Sequence, residues 1–171
     1  MMKLVAAGGV GAAALALLLS LYVGARQRGL EAHCRNNLRH LGDIARRNWE
    51  AIDSQRTGRE FWQAVREAQY RDVRGKWQPM VPDPFICPVH GVTVSKVDDA
   101  RTIDYRGPAK VREQIKDTPR NEPIGADRPG NHSSGGFVLR MDTSVEDYPR
   151  LIDRAANGDP LWAAAAAALK D

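Results

Sequence analysis

The sequence predicts an α+β fold in which one long N-terminal helix packs on a small antiparallel sheet. Three observations lead there. The stretch from Val5 to Val23 contains no charge and no proline. From Arg26 to Ile52 proline is again absent, and Leu30, Cys34, Leu38, Leu41, Ala45, Trp49 and Ile52 recur at steps of 4, 4, 3, 4, 4 and 3. That is the period of a helix with one buried stripe. Further on, Val92 and Val94, then Ile103 and Tyr105, then Phe137, Leu139 and Met141 alternate with other residues, as strands do.

Composition narrows the function. A chain of 171 residues is the size of one domain. Its 25 basic residues nearly balance 21 acidic ones, for a net charge of +4. Such an even mixture does not make a nucleic-acid-binding stripe, so no nucleic-acid partner is expected. Two cysteines exclude a disulfide-dense scaffold and a four-cysteine zinc module. The chain has neither a Gly-rich nucleotide loop nor a nucleophile elbow, and it is not expected to be an enzyme.

Residues 1–25 read as a transmembrane anchor or a signal segment. About twenty apolar residues at a rise of 1.5 Å reach across a hydrocarbon core of roughly 30 Å. The length favours a retained anchor over a cleaved signal, whose apolar region usually runs about 7–15 residues. Cleavage, if it occurred, would follow Ala25 in Val23-Gly24-Ala25. Either reading places residues 26–171 outside the cytoplasm. Arg26, Arg28, Arg35 and Arg39 argue for the opposite orientation by the positive-inside rule.

The globular domain then begins with the amphipathic half of the first helix, residues 26–52. Thr57-Gly58-Arg59-Glu60 has the form of a capping box, and a short helix burying Phe61, Val65 and Ala68 should follow. Four prolines make residues 76–90 a rigid loop. Residues 107–135, rich in Gly, Pro, Asn and Asp, predict one long loop between the second and third strands. Pro149 can open a helix, and the alanine-rich run from Leu161 to Leu169 should be helical.

Four local sequences carry a resemblance. Cys34-Arg35-Asn36-Asn37-Leu38-Arg39-His40-Leu41-Gly42 looks like the C-x-N-N-L-R-x-L-G run in the first helix of many pilin-like proteins. Phe85-Ile86-Cys87-Pro88 looks like their F/W-x-C-P element, and Tyr105-Arg106-Gly107-Pro108 like their Y-R-G-P element. His132, nine residues and Asp142 resemble an H-x9-D-G signature, with Thr143 in place of its glycine. In this order the chain resembles type IV pilins and type II secretion pseudopilins. A second departure lies at the N-terminus, where no acidic residue precedes Glu31 although pilins carry a glutamate at the fifth mature position. The resemblance implies a pilin-like fold and a domain facing the periplasm or exterior, held by a single pass in the bacterial inner membrane. It implies a structural or assembly role in the cell envelope, in a type IV pilus or type II secretion system. Its partners would be the lipid bilayer and other pilin-like subunits or secretion-system components.

Several residues are candidates for chemistry. Outside the cytoplasm Cys34 and Cys87 can form a disulfide that pins the Cys-Pro loop to the long helix. Two buried thiols are the alternative in a reducing compartment. A third reading is zinc, with Cys34, Cys87 and His90 as ligands and His33 adjacent, and it excludes the disulfide. The expected state has no cofactor. His132 and Asp142 read as structural, His132 hydrogen-bonding before the third strand and Asp142 holding the turn after it. A calcium alternative draws on Asp127 and Asp142 with loop carbonyls. The leading expectation is therefore a membrane-anchored pilin-like component. The rival is an exported metal- or ligand-binding module on a signal anchor, outside any filament.

Overall fold

The computed structural model describes residues 3–70, 83–90, 103–115, 122–128, 131–132, 135–147 and 169–170, with side chains from residue 11. Helix α1 runs unbroken from Lys3 to Arg47. A 3-10 turn, Trp49–Ala51, leads to α2, Gly58–Tyr70. Then come a 3-10 turn at Pro88–His90, strand β1 (Tyr105–Pro108), the short α3 (Arg112–Ile115), β2 (Pro123–Asp127), β3 (Phe137–Arg140), β4 (Val145–Asp147) and β5 (Leu169–Lys170). The strands form one antiparallel sheet in the order β4-β3-β2-β1-β5. This is an α+β fold with a long first helix, as the periodicity predicts.

The buried stripe of α1 is the one read from spacing, with one addition. Cys34, Leu38, Leu41, Ala45 and Ile52 are buried, and Leu30 and Trp49 half-buried. Ile44 joins them at full burial. The stripe packs on β3, whereas α2 packs on β1. Gly42 explains why the motif ends in glycine: a Cβ there would lie 3.1 Å from Leu139 and 3.3 Å from Thr143. Gly107 is tighter still, because its Cβ would meet the carbonyl oxygen of Gly58 at 1.9 Å. There β1 presses directly on the first turn of α2, and Trp62 Nε1 donates to the Arg106 carbonyl at 3.0 Å.

Helix α2 buries Phe61 and Val65 as expected, together with Trp62, Ala64, Arg66 and Tyr70, while Ala68 is half-buried. Arg66 pairs with Asp83, itself bound by the Tyr70 hydroxyl at 3.1 Å and the Phe85 amide at 3.0 Å. This buried charge pair ties α2 to the Cys-Pro loop.

Three expectations need correction. Residues 107–135 are not one loop, since they contain α3 and β2, and β2 is the central strand, buried at all five positions. Its Pro, Gly and Asp residues imitate a turn. Gly125 is there because a Cβ would come within 2.7 Å of Trp62. Leu169 ends no helix, for with Lys170 it pairs with β1. The strand expected at Val92 and Val94, the helix expected at Pro149 and the rest of the run from Leu161 lie outside the described residues.

The third correction concerns the membrane. Among the described residues no helix is long and apolar enough to cross one. Gly and Ala supply much of the uncharged run that precedes Arg26 and Arg28, and they contribute little apolar area. The single-pass span and the inner-membrane placement built on it are withdrawn.

Candidate metal centre

Four chain segments meet at Cys34. The helical spacing of α1 turns this residue inward at full burial. Cys87 reaches it from the loop of residues 83–90. That loop is held by Asn37, whose side-chain amide donates to the Ile86 carbonyl at 3.1 Å. The loop is also held by Asp104, which accepts the Cys87 amide at 2.9 Å. Asp127 arrives at the end of β2. Its Oδ2 accepts the Phe137 amide at 2.8 Å, and Gly136 lets the backbone come that close, since a Cβ there would sit 2.8 Å from the Cβ of Asp127. His132 follows in the connection to β3. It is 5% exposed, and its ring lies against Phe137 at 5.7 Å between centroids. Arg35 covers the other partner of that stack, 4.7 Å from the Phe137 centroid.

The ligand-type atoms form a closed ring. Cys34 Sγ stands 3.4 Å from Cys87 Sγ and donates to Asp127 Oδ1 at 2.9 Å. Cys87 Sγ is 3.5 Å from His132 Nε2, which is 3.6 Å from Asp127 Oδ2. All four groups are buried and lie within 4.8 Å of one another. The Tyr105 hydroxyl adds a polar contact 3.4 Å from Cys34. His132 Nδ1, on the far side of the ring, has no hydrogen-bond partner among the described residues.

The electrostatics follow from this crowding. The hydrogen bond to Cys87, then burial and the Asp127 charge, push the Cys34 thiol far up, so it stays protonated. The same bond pulls the Cys87 thiol down to about 6 against its burial, with help from His132. Hydrogen bonding toward Asp127 and Cys87 lifts His132 to about 10 despite burial. Burial and the neighbouring Cys34 raise Tyr105. The Cys87 and His132 shifts favour a Cys87 thiolate beside a His132 imidazolium.

The structure sorts the candidate residues. Cys34 and Cys87 are brought together as thiols, their sulfurs farther apart than the bond length of about 2.05 Å in a disulfide. His33 is exposed on α1, and the side chain of His90 lies outside the described residues. Among the described residues, the two further groups at the sulfurs are Asp127 and His132. His132 and Asp142 do not meet in any hydrogen bond. Asp142 sits in the β3–β4 turn, where Oδ1 accepts the Ser144 amide at 2.9 Å and its hydroxyl at 2.6 Å. Burial pushes that carboxyl up, but the Ser144 bonds and Arg140 outweigh it and hold it down. Asp142 and Asp127 are thus in different places, so the calcium pairing of the two is not formed. Thr143, in the motif's glycine position, adopts φ 69°, which accounts for glycine being the pattern there. No known protein family, curated protein or solved structure matches this chain.

Proposed function

We propose that the chain is a pilin-like structural or assembly subunit of a type IV pilus or type II secretion-related system, without catalytic function. Other pilin-like subunits would join it through the first half of α1. One observation carries this reading. Leu15, Leu17, Leu18, Leu19, Leu21, Tyr22 and Val23 are 55–67% exposed on a helix whose second half is buried in the domain. A continuous apolar surface of this kind marks an interaction site. Its neighbours are small: a Cβ at Gly11 or Gly29 would meet nothing within 4 Å. A second copy of the helix can therefore approach closely and bury apolar area worth about 25 cal/mol per Å2. His132 is buried against Phe137 rather than set at a concave surface, which supports a non-catalytic role.

Sedimentation of the full chain tests this. The wild type should form multi-subunit species, and the Leu17→Glu/Leu21→Glu double variant should stay monomeric with an unchanged thermal midpoint. A wild type that remains monomeric across the concentration range would overturn the reading. The alternative of a metal- or ligand-binding module outside any filament would then be left, and the buried cluster favours it.

A further inference from the structure

We infer that Cys34, Cys87, Asp127 and His132 form a tetrahedral site for zinc, with Sγ of both cysteines, a carboxylate oxygen of Asp127 and Nε2 of His132 as ligands. This goes beyond the assembly role and does not rest on it. Geometry carries it first. With Zn–S of about 2.3 Å and Zn–N or Zn–O of about 2.0–2.1 Å, a tetrahedron has edges of roughly 3.3–3.8 Å. The Cys34–Cys87 and Cys87–His132 edges measure 3.4 and 3.5 Å, and Asp127 completes the set with Oδ1 2.9 Å from Cys34 Sγ and Oδ2 3.6 Å from His132 Nε2. Opening the Cys34–Asp127 contact by roughly half an ångström, with one carboxylate oxygen turned to the centre, admits the ion.

The donor set selects the metal. Two thiolates, one imidazole and one carboxylate suit zinc, whereas calcium takes six to eight oxygens. Burial supports the same choice. Acidic and thiol groups this close, with almost no access to water, are costly unless a cation answers them.

The surroundings are those of a held site. The Phe137 amide fixes one carboxylate oxygen of Asp127. The Val89 amide hydrogen-bonds the Cys87 sulfur from within the 3-10 turn. The Tyr105 hydroxyl stands beside Cys34. Such outer contacts orient metal ligands and tune their basicity. The four ligands come from α1, the Cys-Pro loop, the end of β2 and the β2–β3 connection, so one ion would join four separate segments of the chain.

The test uses the full chain, reduced, stripped with a chelator and titrated with cobalt(II) and then zinc(II). One cobalt per chain should bind, with the intense visible bands of tetrahedral coordination and a thiolate-to-cobalt charge-transfer band. Zinc should displace it, raise the thermal midpoint and block both thiols from a thiol reagent. Cys34→Ser, Asp127→Asn and His132→Ala should each abolish the one-to-one stoichiometry. Tyr105→Phe should keep it while weakening affinity by about tenfold. Three results would overturn the site. One is a reduced wild type that binds no cobalt or gives an octahedral spectrum. Another is unchanged binding in a Cys34→Ser/Cys87→Ser chain. The last is a native protein isolated two daltons light, as a disulfide, that takes up no zinc after reduction. The wild-type spectrum decides the matter even if a ligand variant fails to fold. A monomeric chain that still binds cobalt would retain this site and lose only the assembly role.

Discussion

The two halves of α1 share one backbone and have opposite surroundings. In the C-terminal half, Cys34, Leu38, Leu41 and Ile44 are completely buried, and β3 lies against the helix. In the N-terminal half, seven large apolar residues from Leu15 to Val23 are more than half exposed. The comparison separates what makes a helix from what makes a stable domain. Leucine and alanine favour helix in both halves. Only the second half converts its stripe into buried core, and there Gly42 lets β3 and the turn after it close in. Gly42 meets Leu139 and Thr143, whereas Gly11 and Gly29 face open space.

Substitution can break this contrast most sharply at the leucines. Leu38→Asp should unfold the domain, losing at least about 4 kcal/mol, since it removes a core side chain and buries a charge. Leu18→Asp, one helix away in exposure, should leave the thermal midpoint within about a degree. Circular dichroism melts of the two would collapse the distinction if both behaved alike.

The glycines give a second, smaller test with opposite signs. Gly107→Ala should cost about 2–3 kcal/mol, because its methyl would run into the Gly58 carbonyl, which is backbone and cannot swing aside. Gly29→Ala should stabilise the helix by up to about 1 kcal/mol, since nothing opposes the better helix former. Denaturant midpoints at constant slope would measure both.

The smallest effect belongs to the β3–β4 turn. Thr143→Gly should stabilise by a few tenths of a kcal/mol to about 1 kcal/mol. It relieves the left-handed backbone at φ 69° but loses the methyl packed near Gly42. A lower midpoint for the variant would mean that the methyl contact outweighs the backbone strain.

Spacing made the α1 stripe legible, as a helix that buries one face must repeat every three or four residues. The stripe's own count missed Ile44, which lies beside Ala45 and breaks the simple step. Strand β2 was hidden for a local reason. Pro123, Gly125 and Asp127 are turn residues by propensity, and two of them answer a tertiary demand, Gly125 from Trp62 and Asp127 from the sulfur cluster. The apolar stretch near the N-terminus invited a membrane reading from its lack of charge, but among the described residues no helix is long and apolar enough to cross one.

The site was half legible. Cys34 and Cys87 could be paired because there are only two cysteines to pair. His90 drew attention through its nearness in sequence to Cys87. The groups at the sulfurs, Asp127 and His132, stand 93 and 45 residues from Cys34 and Cys87 respectively. No short motif spans such distances, and only the tertiary fold brings the end of β2 to Cys34. The resemblance did single out His132, though its companion proved to be Asp127 rather than Asp142. Arg66, fully buried with Asp83, left no signal at all, since a charged residue in an amphipathic helix reads as solvent-facing.

The assembly of the cluster from distant segments has a kinetic consequence. Cys34 must find Cys87 across 53 residues and Asp127 across 93, and neither contact helps until the intervening chain has ordered. Closing such long loops is paid for in chain entropy before any contact rewards it. Protection of the two thiols should therefore appear in the last refolding phase, after α2 and the β3–β4 hairpin have formed from their short-range contacts. A thiol-labelling pulse during refolding would thus time the completion of the whole domain rather than the formation of any one element.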